Sequence, residues 1–258
     1  MEIASEDMHM AAIVQQKFFY IPKVEFNNWD FAVCYEPLSQ VSGDLFNFFY
    51  DDSVLNGISL FDASGHGVAA SLITMLSENI IRQVYLDESG KGKPLGQTLT
   101  DINSSLIDAK GEVDNFLTGL LLSIKDNDEK KSRISIANAG HPRPFIYKSK
   151  DDMVMELQPP NDDYVFGPIG ISGIEYDFLD FEISMQSGDI MILYTDGLTE
   201  TMNIHREEFG KSTVQALLQR NHTKGAQDIL NVIMKKLNEH SSGAPRSDDI
   251  TVIILKRK

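Results

Sequence analysis

The chain has 258 residues, enough for one large domain or two small ones with a buried core. Apolar residues make up 42% and charged residues 24%, which excludes collagen-like or largely disordered structure. The net charge of −15 argues against nucleic acid or anionic lipid as a partner, because the largest basic run is only Lys256-Arg257-Lys258. The single cysteine, Cys34, excludes an intramolecular disulfide and a multi-cysteine zinc site.

Nothing in the chain predicts a membrane segment or a secretion signal. No apolar run approaches the roughly 18 residues of a spanning helix. The N-terminus is acidic and mixed, whereas a signal peptide has a basic region before an apolar core. We therefore expect a protein of the reducing cytoplasm, with no membrane insertion.

Residues 1–19 are predicted to form a weakly amphipathic helix, with Met10, Val14 and Phe18 on one stripe. Two interpretations remain open. The segment is either a helix packed on the domain or the end of a longer linker helix from an upstream module. We accordingly divide the chain into an N-terminal linker or regulatory helix, residues 1–19, and one domain, residues 20–258.

Short segments rich in aromatic and β-branched residues predict the first strands, at 31–35, 45–50 and 54–61. A helix is then predicted over 68–84. Its residues Val68, Leu72, Leu76 and Ile80 recur every four positions, with Ala69 and Ile73 alongside, and this stripe is expected to face the core.

Further elements follow along the chain. A second helix follows Pro94, which suits a first helical turn. The later elements are a hairpin (119–124 and 133–137), an irregular proline-rich stretch (142–168), a strand pair (176–184 and 189–195) turned at Ser187-Gly188, two helices (212–220 and 226–237) and a last strand (250–255).

The strands come in consecutive pairs, with helices in pairs between them. This order favours antiparallel sheets covered by helices on their outer faces over a parallel βαβ array. The predicted class is therefore α+β, in a layered arrangement.

Four acidic motifs lie where strands begin or end, beside Gly or Ser. They are Ser42-Gly43-Asp44, Asp62-Ala63-Ser64-Gly65-His66-Gly67, Thr195-Asp196-Gly197 and Ser247-Asp248-Asp249. A carboxylate next to a buried strand is unfavourable unless it is paired. One solution is that several of these carboxylates converge on a hard cation, Mg²⁺ or Mn²⁺. The alternative is that each Asp stabilises a turn; at a single position the two readings are about even, but four such motifs together favour the metal.

The ordered set G-D, F-D-A-S-G-H-G, N-A-G-H-P, Y-T-D-G-L-T-E and S-D-D-I-T-V resembles the bacterial metal-dependent serine/threonine phosphatases of the PPM (PP2C-like) superfamily. The branch it resembles is that of the stage-II-sporulation-E and stress-regulator phosphatases, over about residues 12–256. The resemblance implies an α/β/β/α sandwich of two antiparallel sheets flanked by helices.

The resemblance also implies two Mn²⁺ or Mg²⁺ ions, with a third in some members. Asp62 would bridge both ions and the carbonyl of Ala63 would bind one, while Asp196 and Asp248 would hold the other. Asp44 matches a position that holds metal-bound water or the further ion. Asp249 matches an Asn of the eukaryotic branch, so its metal role is the least determined. A water activated by both ions would then attack phosphorus, with Asp62, Asp196 and Asp248 as the catalytic set.

The substrate-binding residues are less determined than the metal ligands. The family's N-terminal phosphate-binding Arg has no counterpart here, which leaves His66, Arg143 and Arg246 as candidates. For His66 the structural reading, a turn residue bonded to backbone, outweighs the functional one. The turn at His141 is expected to be mainly structural, and residues 199–213 are expected to form a flap beside the site.

By resemblance the substrate is a phosphorylated anti-sigma-factor antagonist of the STAS type. A homodimer through the N-terminal helix and an upstream sensor module are further expectations. Two other functions stay open: a catalytically silent module that binds such a regulator, and a metallohydrolase acting on small phosphoesters.

Overall fold

The computed structural model describes residues 2–65, 67–89, 92–126, 131–161, 167–174 and 176–258. In chain order the elements are α1 (Glu2–Gln16), β1 (Trp29–Glu36), β2 (Asp44–Asp51), β3 (Val54–Ala63), α2 (Val68–Ser89), α3 (Leu95–Lys110), β4 (Leu117–Asp126), β5 (Lys131–Ala139), β6 (Phe145–Lys148), β7 (Met153–Glu156), β8 (Asp180–Gln186), β9 (Ile190–Tyr194), α4 (Gly197–Glu200), α5 (Lys211–Asn221), α6 (Ala226–His240) and β10 (Ile250–Arg257).

The strands form two five-stranded antiparallel sheets. Sheet I has the order β1-β10-β9-β6-β7, and sheet II has the order β2-β3-β4-β5-β8. Helices α2 and α3 pack on sheet II, whereas α5 and α6 pack on sheet I. The predicted α+β sandwich of two antiparallel sheets between helical layers is confirmed.

Alternation along the strands explains the layers, because successive side chains point to opposite faces of a sheet. In β9, Met191 and Leu193 join the core shared with sheet II, while Ile190 and Ile192 join the core under α5 and α6. All four side chains are fully buried. A strand covered on both faces is apolar throughout, as β9 is.

Strands β8 and β9 do not pair with each other, contrary to the prediction for the segments around Ser187-Gly188. Strand β8 pairs with β5 in sheet II, and β9 pairs with β10 and β6 in sheet I. The tight turn between them therefore carries the chain from one sheet to the other. Asp189 holds this turn, because its carboxylate accepts hydrogen bonds from the backbone N–H groups of Ser149 and Gln186.

The stretch 142–168 was expected to be irregular, but it contains the hairpin of β6 and β7. Its prolines flank the two strands rather than interrupt them, since Pro144 precedes β6 and Pro159 follows β7. Burial of Phe145 and Ile146 drives the pairing of β6 with β9.

Helix α2 faces the core with a stripe that only partly matches the predicted one. Ile73 is buried and Ile80 packs against the core as predicted, but Val68 is 48% exposed and Leu72 is 62% exposed. Ala70 and Ile81, which the prediction did not include, are buried. The small residues near the start of α2 allow the helix to lie close to sheet II. None of the helices in the described part of the chain has the length and apolarity that crossing a bilayer requires.

Helix α1 packs on the domain through a face that periodicity did not predict. Ala12 and Gln15 are buried, as is Phe19 just beyond the helix, while Met10 and Val14 of the predicted stripe are exposed. The Phe19 ring contacts the rings of Tyr35 and Phe46.

Candidate metal centre

Carboxylates from both sheets meet at one end of the sandwich. Asp44 opens β2 and lies directly opposite Asp62 in the register of sheet II. Asp196 follows β9 and Asp248 precedes β10, and these two strands are neighbours in sheet I. The layered fold therefore places at one edge the four acidic motifs that are distant in sequence.

A cavity of about 790 Å³ opens at this edge. Asp62, Asp196 and Asp248 line one part of its wall, together with Ala63, and Arg143 and Lys211 line another. Glu156 and Glu200 line the cavity as well, so it combines five carboxylates with two cationic side chains. The carboxylates suit a divalent cation, and the basic residues suit an anionic group of a substrate.

The electrostatics of the acidic wall oppose ionisation. Burial raises the pKa of Asp62, and the negative charges of Asp44, Asp196, Asp248 and Asp249 raise it further. Burial also raises the pKa of Asp196, with a smaller contribution from Glu200. Carboxylates that repel each other in this way bind protons or metal cations more readily than isolated ones.

Asp44 lies between the sheets rather than on the cavity wall, and only 1% of its surface is exposed. Its Oδ2 accepts hydrogen bonds from Thr195 Oγ1 at 2.9 Å and from Thr251 Oγ1 at 2.5 Å. Burial raises the pKa of Asp44, and the Thr251 hydrogen bond works in the opposite direction. Asp44 therefore links sheet II to β10 and to the residue that precedes Asp196.

Asp249 is also buried, and its carboxylate binds the loop between β1 and β2. Its Oδ1 accepts a hydrogen bond from the Leu38 amide at 2.6 Å, and its Oδ2 accepts one from the Gly43 amide at 2.7 Å. The carboxylate does not line the cavity. Its two oxygens thus fix the backbone that leads into Asp44.

Helix α1 also hydrogen-bonds to the loop between β1 and β2. Gln15 Nε2 donates to the Ser42 carbonyl at 2.7 Å, and the Ser42 amide donates to Gln15 Oε1 at 2.9 Å. Both residues are buried. Helix α1 is therefore hydrogen-bonded to Ser42, which lies two positions before Asp44.

The structure separates the candidate substrate-binding residues. Arg143 lines the cavity and donates to Gln158 Oε1. Arg246 instead binds Glu36, through its carboxylate at 3.2 Å and its carbonyl at 2.6 Å, and does not line the cavity. His66 lies outside the residues that the structure describes.

The predicted flap, residues 199–213, is only partly a loop. Thr199 and Glu200 belong to the short helix α4, and α5 begins at Lys211. These three residues line the cavity, so both ends of the segment contribute to the site. Between them, an isolated bridge joins Met202 to Glu208.

The donor set fits hard divalent cations that keep part of their water shell. Within the described ranges, no three His, Cys, Asp or Glu side chains are arranged to hold one ion by themselves. Mg²⁺, however, is usually held by only one or two carboxylates, with water and substrate phosphate completing its shell. Asp62, Asp196 and Asp248 with the Ala63 carbonyl supply oxygen donors of this kind.

Sequence reasoning missed the hydroxyl and amide groups that orient the carboxylates. Thr195 and Thr251 stand beside the acidic motifs in Thr195-Asp196-Gly197 and Asp249-Ile250-Thr251, so their proximity was visible. Nothing in the sequence indicated that both hydroxyl groups bind Asp44. Gln15 carried no signal, because its partner Ser42 is 27 positions away.

Known proteins resemble this chain over most or all of its length. The Stage II sporulation protein E (SpoIIE) family matches residues 56–258. The phosphoserine phosphatase RsbU of Bacillus subtilis is 27% identical over 260 residues, a match that spans 100% of this chain and 71% of RsbU. The SiaA-PP2C domain of Pseudomonas aeruginosa superimposes with a TM-score of 0.79 at 18% identity, covering 100% of this chain and 98% of that domain.

One further structure bears on the metal. The catalytic domain of the serine/threonine protein phosphatase PstP, solved with 2 manganese ions, superimposes with a TM-score of 0.60 at 14% identity. The match covers 89% of this chain and 98% of that domain. At this identity the likeness concerns the fold alone.

Proposed function

Because the chain belongs to the SpoIIE family and is a PP2C-like protein phosphatase, we propose that it removes phosphate from phosphoserine or phosphothreonine of a partner-switching regulator. The proposed substrate is an anti-sigma-factor antagonist of the STAS type. The observation that carries the proposal is the convergence of Asp62, Asp196 and Asp248 on one cavity, where burial and mutual repulsion raise the pKa of Asp62.

In this proposal the carboxylates hold two Mn²⁺ or Mg²⁺ ions. Asp62 and the Ala63 carbonyl would contribute ligands to one ion, and Asp62, Asp196 and Asp248 would contribute ligands to the other, with water completing each coordination shell. Such ions lower the pKa of water and neutralise the charge of a phosphate dianion. Asp44 supports the site from behind, because its hydrogen bonds fix Thr195 beside Asp196.

The basic residues of the cavity suit an anionic substrate. Arg143 and Lys211 line the cavity in a chain whose net charge is −15. A phosphorylated protein segment would be repelled by most of the surface and attracted by these basic residues. Glu156 compensates part of the charge of Lys211, because its carboxylate lies 2.8 Å from the Lys211 ammonium group.

The test measures phosphate release from phosphorylated STAS proteins and from p-nitrophenyl phosphate, each with Mn²⁺ and with EDTA. We expect Mn²⁺-dependent release that favours the phosphoprotein. Release from the small ester alone would favour a small-phosphoester hydrolase. Binding of the phosphoprotein without release from either compound would favour a silent regulator-binding module.

We also propose that residues 1–19 regulate the domain, through dimerisation or through an upstream sensor module. Two observations support this. Met10 and Val14 expose apolar surface on α1, and Gln15 on its buried face binds the loop that leads to Asp44. A change in the position of α1 would therefore reach the carboxylates through a single loop.

Gln15→Ala tests the regulatory proposal, with the neighbouring exposed Gln16→Ala as its matched control. We expect Gln15→Ala to change turnover while Gln16→Ala does not. Deletion of residues 1–16 should leave a folded domain with altered activity or association state. If the deletion unfolds the domain, the helix is part of the core and the regulatory proposal is wrong.

A further inference from the structure

A buried histidine connects the two sheets beside the cavity. His141 follows β5, and only 4% of its surface is exposed. Its Nδ1 lies 3.0 Å from Thr118 Oγ1, and its Nε2 lies 3.0 Å from the carbonyl oxygen of Tyr194. Thr118 belongs to sheet II and Tyr194 to sheet I, so the imidazole ring spans the gap between them.

Both contacts lead to carboxylates of the cavity. Thr118 lies directly opposite Asp62 in the register of β3 and β4. Tyr194 ends β9, two positions before Asp196. Asp62 is therefore connected to Asp196 in three steps. Thr118 lies opposite Asp62, His141 hydrogen-bonds to Thr118 and to the Tyr194 carbonyl, and Tyr194 is two positions before Asp196.

The chemistry of the partners determines the tautomer. A carbonyl oxygen can only accept, so Nε2 carries the hydrogen that it donates to Tyr194. Nδ1 is then the acceptor of the Thr118 hydroxyl hydrogen. Burial lowers the pKa of His141 to about 3, so the ring is neutral at neutral pH. Since both nitrogens are engaged, the ring is not placed to exchange a proton with a substrate.

The backbone around the ring is fixed independently. The His141 amide donates to Asn138 Oδ1 at 2.8 Å, and Asn138 Nδ2 donates to the His141 carbonyl at 3.1 Å. Gly140 adopts a φ of 69°, which other residues rarely adopt, and pairs with Gly119 of β4. A ring held at its backbone and at both nitrogens has little freedom to move.

We propose that His141 is a positioning residue that sets the separation of Asp62 and Asp196 across the two sheets, and thereby the affinity of the cavity for its divalent cations. This inference rests on the proposed phosphatase function. A core histidine that merely fills space would need neither a specific tautomer nor a partner in each sheet. The Asn138-Ala139-Gly140-His141 turn thus acquires a role at the metal centre, through the carboxylates rather than on the substrate.

Two substitutions separate the two hydrogen bonds. In His141→Gln the side-chain amide reaches the position of Nε2 and can still donate to Tyr194. In His141→Asn the shorter amide reaches only the position of Nδ1, near Thr118. Thr118→Val, which keeps the shape of the side chain and removes its hydroxyl, provides a second test should the His141 variants fold poorly.

The readouts are Mn²⁺ affinity, by calorimetry or by electron paramagnetic resonance of free Mn²⁺, and turnover at saturating Mn²⁺ well below the melting temperature. We expect His141→Asn to weaken Mn²⁺ binding by about 10- to 100-fold, the usual effect of losing a group that orients a metal ligand. His141→Gln should retain most of the affinity, and Thr118→Val should lie between the two.

The outcomes distinguish this inference from the proposed function. If the wild type binds Mn²⁺ and releases phosphate but His141→Asn and Thr118→Val bind Mn²⁺ equally well, His141 is only a core residue. Equal losses in His141→Gln and His141→Asn would also overturn the inference, because the Tyr194 contact would then be irrelevant. A wild type that binds no Mn²⁺ would overturn the proposed function itself.

Discussion

The two sheets are joined at the metal end by two polar links that respond to charge in opposite ways. In the first, Asp44 accepts hydrogen bonds from Thr195 and Thr251, and burial raises its pKa. In the second, His141 connects Thr118 to the Tyr194 carbonyl, and burial lowers its pKa to about 3. Burial favours the neutral form of both side chains. A rise in pH ionises only the carboxyl group, so only the buried Asp44 is destabilised as the pH rises.

The difference shows which link depends on a cation. Asp44 lies opposite Asp62, and protons or metal ions would compensate the negative charges around these two carboxylates. The neutral imidazole needs no compensation, so its hydrogen bonds form with or without metal. One link therefore responds to the metal, and the other maintains the geometry in its absence.

The largest effect is expected from removing the carboxylate of Asp62, which lines the cavity. Asp62→Asn should reduce turnover on the order of 10²- to 10³-fold, a typical effect of losing one transition-state electrostatic contact. EDTA should reduce the activity of the wild type to background. Steady-state phosphate release measures both, with the exposed Asp108→Asn on α3 as the charge-matched control. Activity of Asp62→Asn equal to that of the control would exclude Asp62 from the site.

The next effect concerns the stabilisation that metal gives to the fold. Free Mn²⁺ at a hundredfold above its dissociation constant should stabilise the wild type by about 2.7 kcal/mol. Asp196→Asn should shrink this gain and leave the metal-free protein as stable as before or more stable, because one repelling charge is gone. Thermal melts with EDTA and with Mn²⁺ measure both quantities.

The turn interpretation predicts the opposite result for Asp196. If Asp196 only accepts backbone hydrogen bonds, Asp196→Asn should lower stability with and without metal, and the Mn²⁺-induced shift should match that of the wild type. Such a result would remove Asp196 from the metal centre.

Ionisation of the buried carboxyl groups should also make the metal-free protein less stable as the pH rises. Burial raises the folded-state pKa of Asp44 and Asp62 above the value of about 4 for an unfolded chain. The folded state then holds protons that the unfolded state releases, so stability falls as the pH rises from about 4 through the raised folded-state values. Each proton contributes at most about 1.4 kcal/mol per pH unit. Melting temperatures in EDTA should show this fall, and saturating Mg²⁺ should flatten it.

A pH dependence that is the same with EDTA and with Mg²⁺ would contradict this account. Asp62→Asn tests the account, since it removes one of the titrating groups and should make the fall in stability with rising pH in EDTA less steep. The exposed Asp108→Asn is the matched control variant.

Much of the fold could be predicted because strand composition and helical periodicity are local signals. The layered α+β class, the hairpin of β4 and β5 and the helix α6 follow from them. The arrangement in two packed sheets was implied by the family resemblance. The separation of β8 and β9 did not, because Ser187-Gly188 indicates a turn whether the next strand pairs or crosses to another sheet. The inward stripe of α2 was only partly right, because small residues such as Ala70 carry little hydrophobic signal, although close packing favours them.

The candidate site was predicted as a set of motifs but not as an arrangement. The family resemblance is confirmed, and Asp62, Asp196 and Asp248 share one cavity. Their ligand roles stay predictions. The sequence could not separate Asp248, on the cavity wall, from Asp249, whose oxygens hold the Leu38 and Gly43 amides, because the direction of a carboxylate depends on a loop more than 200 positions away.

The smallest expected effect lies on the acidic side and isolates the second link. An unfolded histidine has a pKa of about 6.5, whereas burial lowers that of folded His141 to about 3. Below pH 6.5 the unfolded chain gains a proton that the folded chain does not accept. The stability contributed by the neutral ring is therefore complete above pH 6.5 and is lost as the pH falls toward 3, by at most about 1.4 kcal/mol per pH unit.

His141→Gln should remove this component, because an amide does not titrate. Many carboxylates also titrate in this range, so the informative quantity is the difference between the stability curves of wild type and variant. That difference in stability should change steadily below pH 6.5 and stay constant above it. It should also be the same with EDTA and with Mg²⁺, because a neutral ring has no charge–charge interaction with a bound cation. The exposed His205→Gln is the matched control variant. Parallel curves for His141→Gln would show that the ring accepts a proton in the fold, and the two links would then not differ in the way described.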